Sequence, residues 1–222
     1  MKTILIILVL MLLVSCDSKT SDTFSVRMKY SSALDSVCSF FKGPKIRDEW
    51  RLELIEKKIG LEKEWKAIGN SLISSTEDIL GYKFLAKENV VHLTLCNTPS
   101  RSYPLILNMR YSLSSFTENP VSVNDKVGTL FHEFLHQLIE DHIPSTSPIL
   151  AKYANEHGRV KDHIHLLALQ KAVYLSLNLE PQLLSIVKMD SRLPNGYYKK
   201  AWEIVNTHDD YYKVIVSELA KP

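Results

Sequence analysis

Two histidines and a glutamate stand at a spacing that suits hydrolytic metal chemistry. Residues 132–136 read His-Glu-Phe-Leu-His. On a helix, His132 and His136 would share one face, with their Cβ atoms about 5–6 Å apart. Two imidazoles so placed can bind one Zn²⁺ at about 2.0–2.1 Å each. Glu133 lies beside them and can take the proton of a water activated by the metal. The pattern therefore predicts a zinc site with Glu133 as general base.

A catalytic zinc needs a third protein ligand, and the chain beyond the motif offers several candidates. Six of the eight histidines lie within residues 132–165. We predict His163 as the third ligand, because it lies inside the strongly helical stretch 160–177. Glu156 precedes that stretch and is the alternative. His165 would point to the other side of the same helix and is a further alternative.

The sequence around the motif resembles the extended pattern of the zincin metallopeptidases. From residue 128 to 139 there is no proline and no charged residue other than Glu133. The resemblance implies a zincin-like fold, Zn²⁺ as the cofactor, and hydrolysis of peptide bonds. Asn155 and Glu156 are similar to the Asn-Glu pair of the gluzincins, where the glutamate is the third ligand. Val160 departs from that pattern, which has an acidic residue at the same place.

The N-terminus resembles the signal sequence and lipobox of bacterial lipoproteins. It reads MKTILIILVLMLLVSC, and its apolar run is shorter than the ~20 residues that a membrane-spanning helix needs. The resemblance implies a signal peptide at residues 1–15, then a lipidated Cys16 and flexible tether at residues 16–27. The protein would then be anchored to a bacterial membrane in the cell envelope. In an oxidising compartment, Cys38 and Cys96 could form a disulfide or remain free thiols.

The elements that must position these residues are mostly helical. Apolar residues recur at helical spacing, and Gly60 is expected to end or bend the longest helix. Two strands, at residues 89–96 and 105–113, are predicted to form an antiparallel hairpin. We therefore predict an α+β, predominantly α, zincin-like single domain at residues 28–222, with a small antiparallel sheet and an active-site helix. Helices are predicted at residues 28–41, 46–80, 126–140, 160–177, 197–205 and 211–219, with a helical turn at residues 149–154 and a short helical stretch at residues 181–187.

Substrate handling is less sharply indicated by the sequence. In zincins the strand before the metal helix pairs with an extended peptide, which would here be residues 105–113. Asn108 and Arg110 in that strand could contact substrate or have structural roles. A donor to the developing oxyanion is also required. Its candidates lie in the C-terminal region and are Tyr197, Tyr198, His208, Tyr211 and Tyr212.

Composition and net charge argue against two further classes of function. The 222 residues carry a formal net charge of +2 and only 7 Gly. Neither a nucleic-acid-binding surface nor a glycine-rich phosphate loop is expected from these values. The predicted partners are a peptide or protein substrate and, through the lipid anchor, a membrane. The alternative prediction is a non-catalytic zinc-binding envelope lipoprotein, in which protein ligands would also close the fourth position on the metal.

Overall fold

The computed structural model describes residues 24–41 and 45–221. The predicted signal peptide, Cys16 and the first part of the predicted tether lie outside the described residues. Across the described ranges, no helix combines the length and the apolar character needed to cross a membrane.

The described chain is α+β and mostly helical, as predicted. Its long helices follow the apolar periodicity of the sequence, and its strands are short. A 3₁₀ turn at Arg110–Ser112 follows the last strand. The elements are β1 (Ser25–Tyr30), α1 (Ser32–Phe41), α2 (Asp48–Leu80), β2 (Glu88–Thr94), β3 (Ile106–Asn108), α3 (Val123–Ile139), α4 (Pro148–Lys152), α5 (Gly158–Ser176), α6 (Glu180–Asp190), α7 (Tyr197–Val205) and α8 (Tyr211–Ser217).

The sheet is parallel, so the predicted antiparallel hairpin is wrong. Its strand order is β1-β2-β3, and β2 runs parallel to both neighbours. Alternating apolar residues predict a strand but carry no information about its direction. The connection at residues 95–105 is long enough to return the chain to the start of the next strand. Within it, Arg101 forms an antiparallel bridge with Ile106, which is the only antiparallel pairing in the described chain.

The strand β1 was not predicted, and it occupies residues 28–30, where the helix predicted at residues 28–41 was expected to begin. It begins at Ser25, so residues 25–27 belong to the sheet and not to the expected tether. Met28 is buried in the core, while its neighbours Arg27 and Lys29 are exposed, which is the alternation of a strand with one covered face. The helix α1 begins two residues after the end of β1. Its position brings Cys38 into a disulfide with Cys96.

The helix α2 is continuous over 33 residues, so it does not end at Gly60, which was one of the two expectations for this residue. A Cβ at Gly60 would make ordinary contact with Val123, so this glycine permits the helix to continue without strain. The helix ends at Gly81, as predicted. Gly81 adopts the left-handed conformation at φ 72° and donates its N–H to the carbonyl of Glu77.

The helix α5 lies at the centre of the helical part of the fold. It packs against α2, α3, α6, α7 and α8. Its side chains are buried on several sides, including Ile164, Leu167 and Leu169, which are fully enclosed. The helix α3 packs against α2, α5 and α6. At its contact with α6, a Cβ on Gly128 would lie 2.7 Å from Cδ1 of Ile186, so a larger residue here would require the Ile186 side chain to shift.

Candidate metal centre

The helix α3 presents the histidine pair of the motif on one buried face. Ser122 caps its N-terminus by accepting the N–H of Asp125, and the helix then runs unbroken through the motif. The ring centroids of His132 and His136 are 4.9 Å apart. His132 is 6% exposed, so its imidazole has been withdrawn from water.

The helix α5 brings His163 to this pair. Its ring centroid lies 5.3 Å from that of His132 and 5.2 Å from that of His136. One ring nitrogen from each of the three histidines lies within 4.8 Å of the other two. Three imidazoles that converge from two crossing helices form an arrangement typical of catalytic zinc sites.

Hydrogen bonds at the outer ring nitrogens leave the inner nitrogens free. Nδ1 of His163 lies 2.6 Å from the carbonyl oxygen of Arg159, and Nδ1 of His132 lies 3.4 Å from Oε1 of Gln170. Because the carbonyl of Arg159 only accepts, Nδ1 of His163 carries the proton and its Nε2 keeps its lone pair; Oε1 of Gln170 favours the same tautomer for His132. Both Nε2 atoms are buried without a hydrogen-bond partner among the described residues. A buried unpaired acceptor is costly, and a metal ion would satisfy both atoms.

Burial holds the three imidazoles in the neutral form that binds metals. It lowers the pKa of His132 well below its usual value, and repulsion from His136 and His163 lowers it further. Burial also lowers the pKa of His136 to about 4, with a contribution from His163. The pKa of His163 is lowered for the same reason, against the opposing effect of its bond to Arg159. Metal binding near neutral pH would therefore displace no proton from these rings.

Glu133 lies next to the histidines at the floor of a cleft. It is 6% exposed and lines the cleft together with His132 and Tyr198. Burial raises the pKa of its carboxyl to about 7, against the opposing charge of Arg101. A carboxyl with a pKa near neutral can both accept and return a proton at that pH, as a general base requires.

Tyr198 is the one member of the C-terminal candidate pool that contacts the histidines. Its ring centroid lies 4.4 Å from that of His163 and 5.6 Å from that of His132. Burial raises the pKa of its phenol, and the negative charge of Glu133 raises it further, so Tyr198 stays a hydrogen-bond donor. The other candidates form contacts elsewhere: Tyr197 stacks on His157, His208 contacts Tyr211, Tyr211 accepts from Lys152, and Lys171 and Lys213 lie over the ring of Tyr212.

The alternative third ligands lie away from the cluster. An oxygen of Glu156 lies 3.6 Å from the ammonium of Lys200, and Glu156 is not among the grouped ligand atoms. His165 points to the other side of α5, as predicted, where its Nε2 lies 2.9 Å from a carboxylate oxygen of Glu218. The geometry therefore brings His163, and neither alternative, to the histidine pair.

The cleft has a volume of about 1140 Å³ and is lined by residues 97–100, Asn108, α3 and α6. The strand β3 does not offer the free edge that was expected to pair with substrate. Its outer edge is bonded within the chain, by Arg101 at Ile106 and by Ser100 at the N–H of Asn108.

The two candidate substrate contacts, Asn108 at the end of β3 and Arg110 in the 3₁₀ turn that follows it, both form contacts within the chain. The amide of Asn108 donates to the carbonyls of Cys96 and Thr98 and accepts the N–H of Arg110. The guanidinium of Arg110 lies over the rings of Trp50 and Phe116. The bonds of Asn108 tie the start of the loop at residues 97–100 to the end of β3.

Two residues that contact the histidines, Gln170 and Tyr198, were not identified from the sequence. Gln170 was not a candidate, and Tyr198 was one of five. Gln170 lies seven residues after His163, two helical turns away on the same face, so helical spacing was the signal that could have found it. No comparable spacing connects Tyr198 to the motif. Comparison with known proteins adds no residue to the site, because no protein family, no curated protein and no solved structure matches this chain.

Proposed function

We propose that this chain is a zinc-dependent metallopeptidase with a zincin-like arrangement of its active site. His132, His136 and His163 would hold the ion, and Glu133 would act as general base. The observation that carries the proposal is the pair of buried, unpartnered Nε2 atoms that converge with His136 beside a cleft-facing carboxylate. Ligand type, number and burial fit Zn²⁺, which favours imidazole nitrogen in tetrahedral sites.

Glu133 and Tyr198 would supply the proton transfer and the hydrogen bond that hydrolysis needs. When bound, Zn²⁺ would polarise the substrate carbonyl and lower the pKa of water at the site. Glu133 accepts the proton of that water as the C–O bond forms, and delivers it to the amine nitrogen as the C–N bond breaks. The phenol of Tyr198 donates a hydrogen bond to the carbonyl oxygen as it gains negative charge.

We further propose that the enzyme works in the cell envelope of a bacterium, anchored through lipid on Cys16. The pairing of Cys38 with Cys96 supports an oxidising compartment, because structural disulfides persist in secreted and periplasmic proteins. Lipidation itself rests on the resemblance of residues 1–16 to a lipobox.

The test of the catalytic role compares Glu133→Gln with the wild-type protein. We expect the variant to keep its zinc, because Glu133 is not a ligand, and to lose at least about 100-fold in peptide hydrolysis, because the proton acceptor is gone. Hydrolysis of casein and of a peptide library would be measured beside metal content by mass spectrometry. Glu140→Gln, the same change at the exposed end of the same helix, is the matched control.

Two outcomes would contradict the proposal. Undiminished hydrolysis by Glu133→Gln would remove Glu133 from the mechanism. Zinc bound at full occupancy by a wild-type protein that cleaves no peptide would instead favour the non-catalytic zinc-binding lipoprotein.

A further inference from the structure

The cleft floor contains a buried lysine that no part of the hydrolytic mechanism uses. Lys126 is 7% exposed and lines the cleft from α3. Among the described residues, no carboxylate lies within 4.0 Å of its ammonium. Both oxygens of the adjacent Asp125 accept from hydroxyls, one from Ser122 and the other from Ser185. Most of the Lys126 side chain is buried, and its ammonium faces the cleft without an ion pair in the described chain, so it is placed to bind a ligand that supplies negative charge.

Lys126 keeps its charge at neutral pH. Burial lowers the pKa of its ammonium to about 8, against the opposing charge of Asp125. Most molecules therefore present a positive charge at the cleft floor near pH 7.

Three exposed cations line the same cleft. Arg159 at the start of α5, Lys188 in α6 and Arg192 just after α6 form no ion pair within the described part of the chain. The cleft also contains acidic groups, namely Glu118, Asp125, Glu133 and Asp190. Asp125 is already bonded, and Asp190 is buried against Trp202 with its pKa raised to about 7. The cleft lining therefore carries charges of both signs, and its four cations form no ion pair among the described residues.

The helix α3 sets the separation between Lys126 and Glu133 along the cleft. Lys126 and Glu133 are seven residues apart, so their side chains leave α3 on the same face, about 10 Å apart along its axis. An extended peptide advances about 3.3 Å per residue. For a peptide that runs along α3, a group that reaches Lys126 would therefore lie about three residues from the bond beside Glu133.

We propose that Lys126 binds a carboxylate of the substrate, about three residues from the bond that is cut. This inference rests on the proposed peptidase function and adds a substrate class to it: peptides that carry an acidic side chain or a free C-terminus at that distance. Both sources supply the same carboxylate. The exposed cations Arg159, Lys188 and Arg192 would attract such peptides to the cleft mouth.

The test measures binding in zinc-loaded Glu133→Gln protein, so that hydrolysis does not consume the probe. Rhodamine-labelled alanine hexapeptides would be compared by fluorescence anisotropy as the C-terminal amide, as the free acid, and as amides with a single Asp or Asn at each position. We expect a carboxylate-bearing peptide to bind at least about tenfold more tightly than its neutral partner. Preference for the free acid would identify the C-terminus as the source, and preference for Asp over Asn would identify a side chain.

Variants at Lys126 separate its charge from its packing. Lys126→Met should abolish the preference, and Lys126→Arg should keep it. Lys66→Met, on the exposed face of α2, makes the same charge change away from the cleft and should leave the preference intact. Should Lys126→Met fail to fold by circular dichroism, Lys126→Gln provides the same comparison.

The outcome is distinguishable from a failure of the peptidase proposal. Equal binding of all peptides, or a preference that survives in folded Lys126→Met or Lys126→Gln, would overturn the carboxylate site whatever the hydrolytic activity. A preference that depends on Lys126, together with a wild-type protein that hydrolyses no peptide, would uphold the site while removing the proposed catalysis.

Discussion

At the scale of single residues, Gln170 fixes the orientation of His132. It is fully buried on α5, and its Oε1 lies 3.4 Å from Nδ1 of the imidazole. Since this oxygen only accepts, it favours the tautomer whose Nε2 lone pair is free for the metal. Such supporting hydrogen bonds raise the basicity of the ligand and limit rotation of its ring.

Replacement of Gln170 by leucine should weaken zinc binding by about 10–100-fold while leaving the fold intact. The loss follows from an imidazole that is free to rotate and to change tautomer. Competition against a chromophoric zinc chelator measures the affinity, and circular dichroism checks the fold. Gln182→Leu, in α6, is the matched control. Unchanged affinity in folded Gln170→Leu would show that Gln170 does not position His132.

The sequence predicted the candidate ligands better than their surroundings. His163 could be predicted because it lies within a clear helix, where side-chain direction follows from spacing. The place of Glu156 could not, because it lies in a turn, and the structure directs its carboxylate to Lys200. Tyr198 reaches the site only through the packing of α7 on α5, a tertiary contact that no local pattern contains.

At the scale of elements, a single buried hydrogen bond joins α6 to α7. Asp190, the last residue of α6, accepts from Nε1 of Trp202 at 2.9 Å, and both side chains are buried. This hydrogen bond helps to position the candidate site, because α7 carries Tyr198 and α6 lines the cleft. Burial raises the pKa of Asp190 to about 7, against the opposing effect of the Trp202 bond.

This raised pKa gives Asp190 a predictable effect on stability. Because the folded protein holds the proton more tightly than the unfolded chain, the contribution is full below about pH 4 and is lost as the pH rises through 7. Between pH 5 and 8 the loss should be on the order of 2 kcal/mol. Asp190→Asn keeps an acceptor for Trp202 and cannot ionise, so its stability relative to wild type should rise over that interval.

Urea denaturation of metal-free wild type and Asp190→Asn at pH 5 and pH 8 measures this difference. Taking the difference between the two proteins cancels the titration of the histidines. Asp209→Asn, at an exposed position between α7 and α8, should show no comparable change. A stability difference between Asp190→Asn and wild type that stays constant across the two pH values would contradict the raised pKa of Asp190.

The helices could be predicted from periodicity, whereas the sheet could not. The helix α3 follows its predicted bounds to within a few residues, because its apolar face is continuous through the motif. The parallel direction of β2 and β3 depends on how the loop at residues 95–105 folds back, through the bridge from Arg101 to Ile106. Such long-range pairing leaves no periodic signal in either strand.

At the scale of the whole molecule, a disulfide ties the N-terminal part of the fold together. Cys38 of α1 is bonded to Cys96, just after β2, across a sequence separation of 58 residues. The candidate metal centre lies elsewhere, on α3 and α5. Stability and metal binding should therefore respond separately to loss of this bond.

Replacement of both cysteines by serine should lower the free energy of unfolding by about 4 kcal/mol, on the loop-entropy estimate for a loop of this length. Urea denaturation measures the loss, and wild-type protein reduced with dithiothreitol should show a similar one. Zinc content of the folded double variant should match wild type. Loss of zinc, or stability equal to that of the oxidised protein, would contradict this separation.

The most direct test of the central claim is the zinc content of purified wild type, His163→Ala and Glu156→Ala, measured by mass spectrometry after dialysis against a weak chelator. Wild type and Glu156→Ala should each hold about one zinc per chain, and His163→Ala should lose it, because two imidazoles alone bind zinc weakly. Circular dichroism would check that each variant is folded. Full zinc occupancy in His163→Ala, together with its loss in Glu156→Ala, would contradict the three-histidine centre.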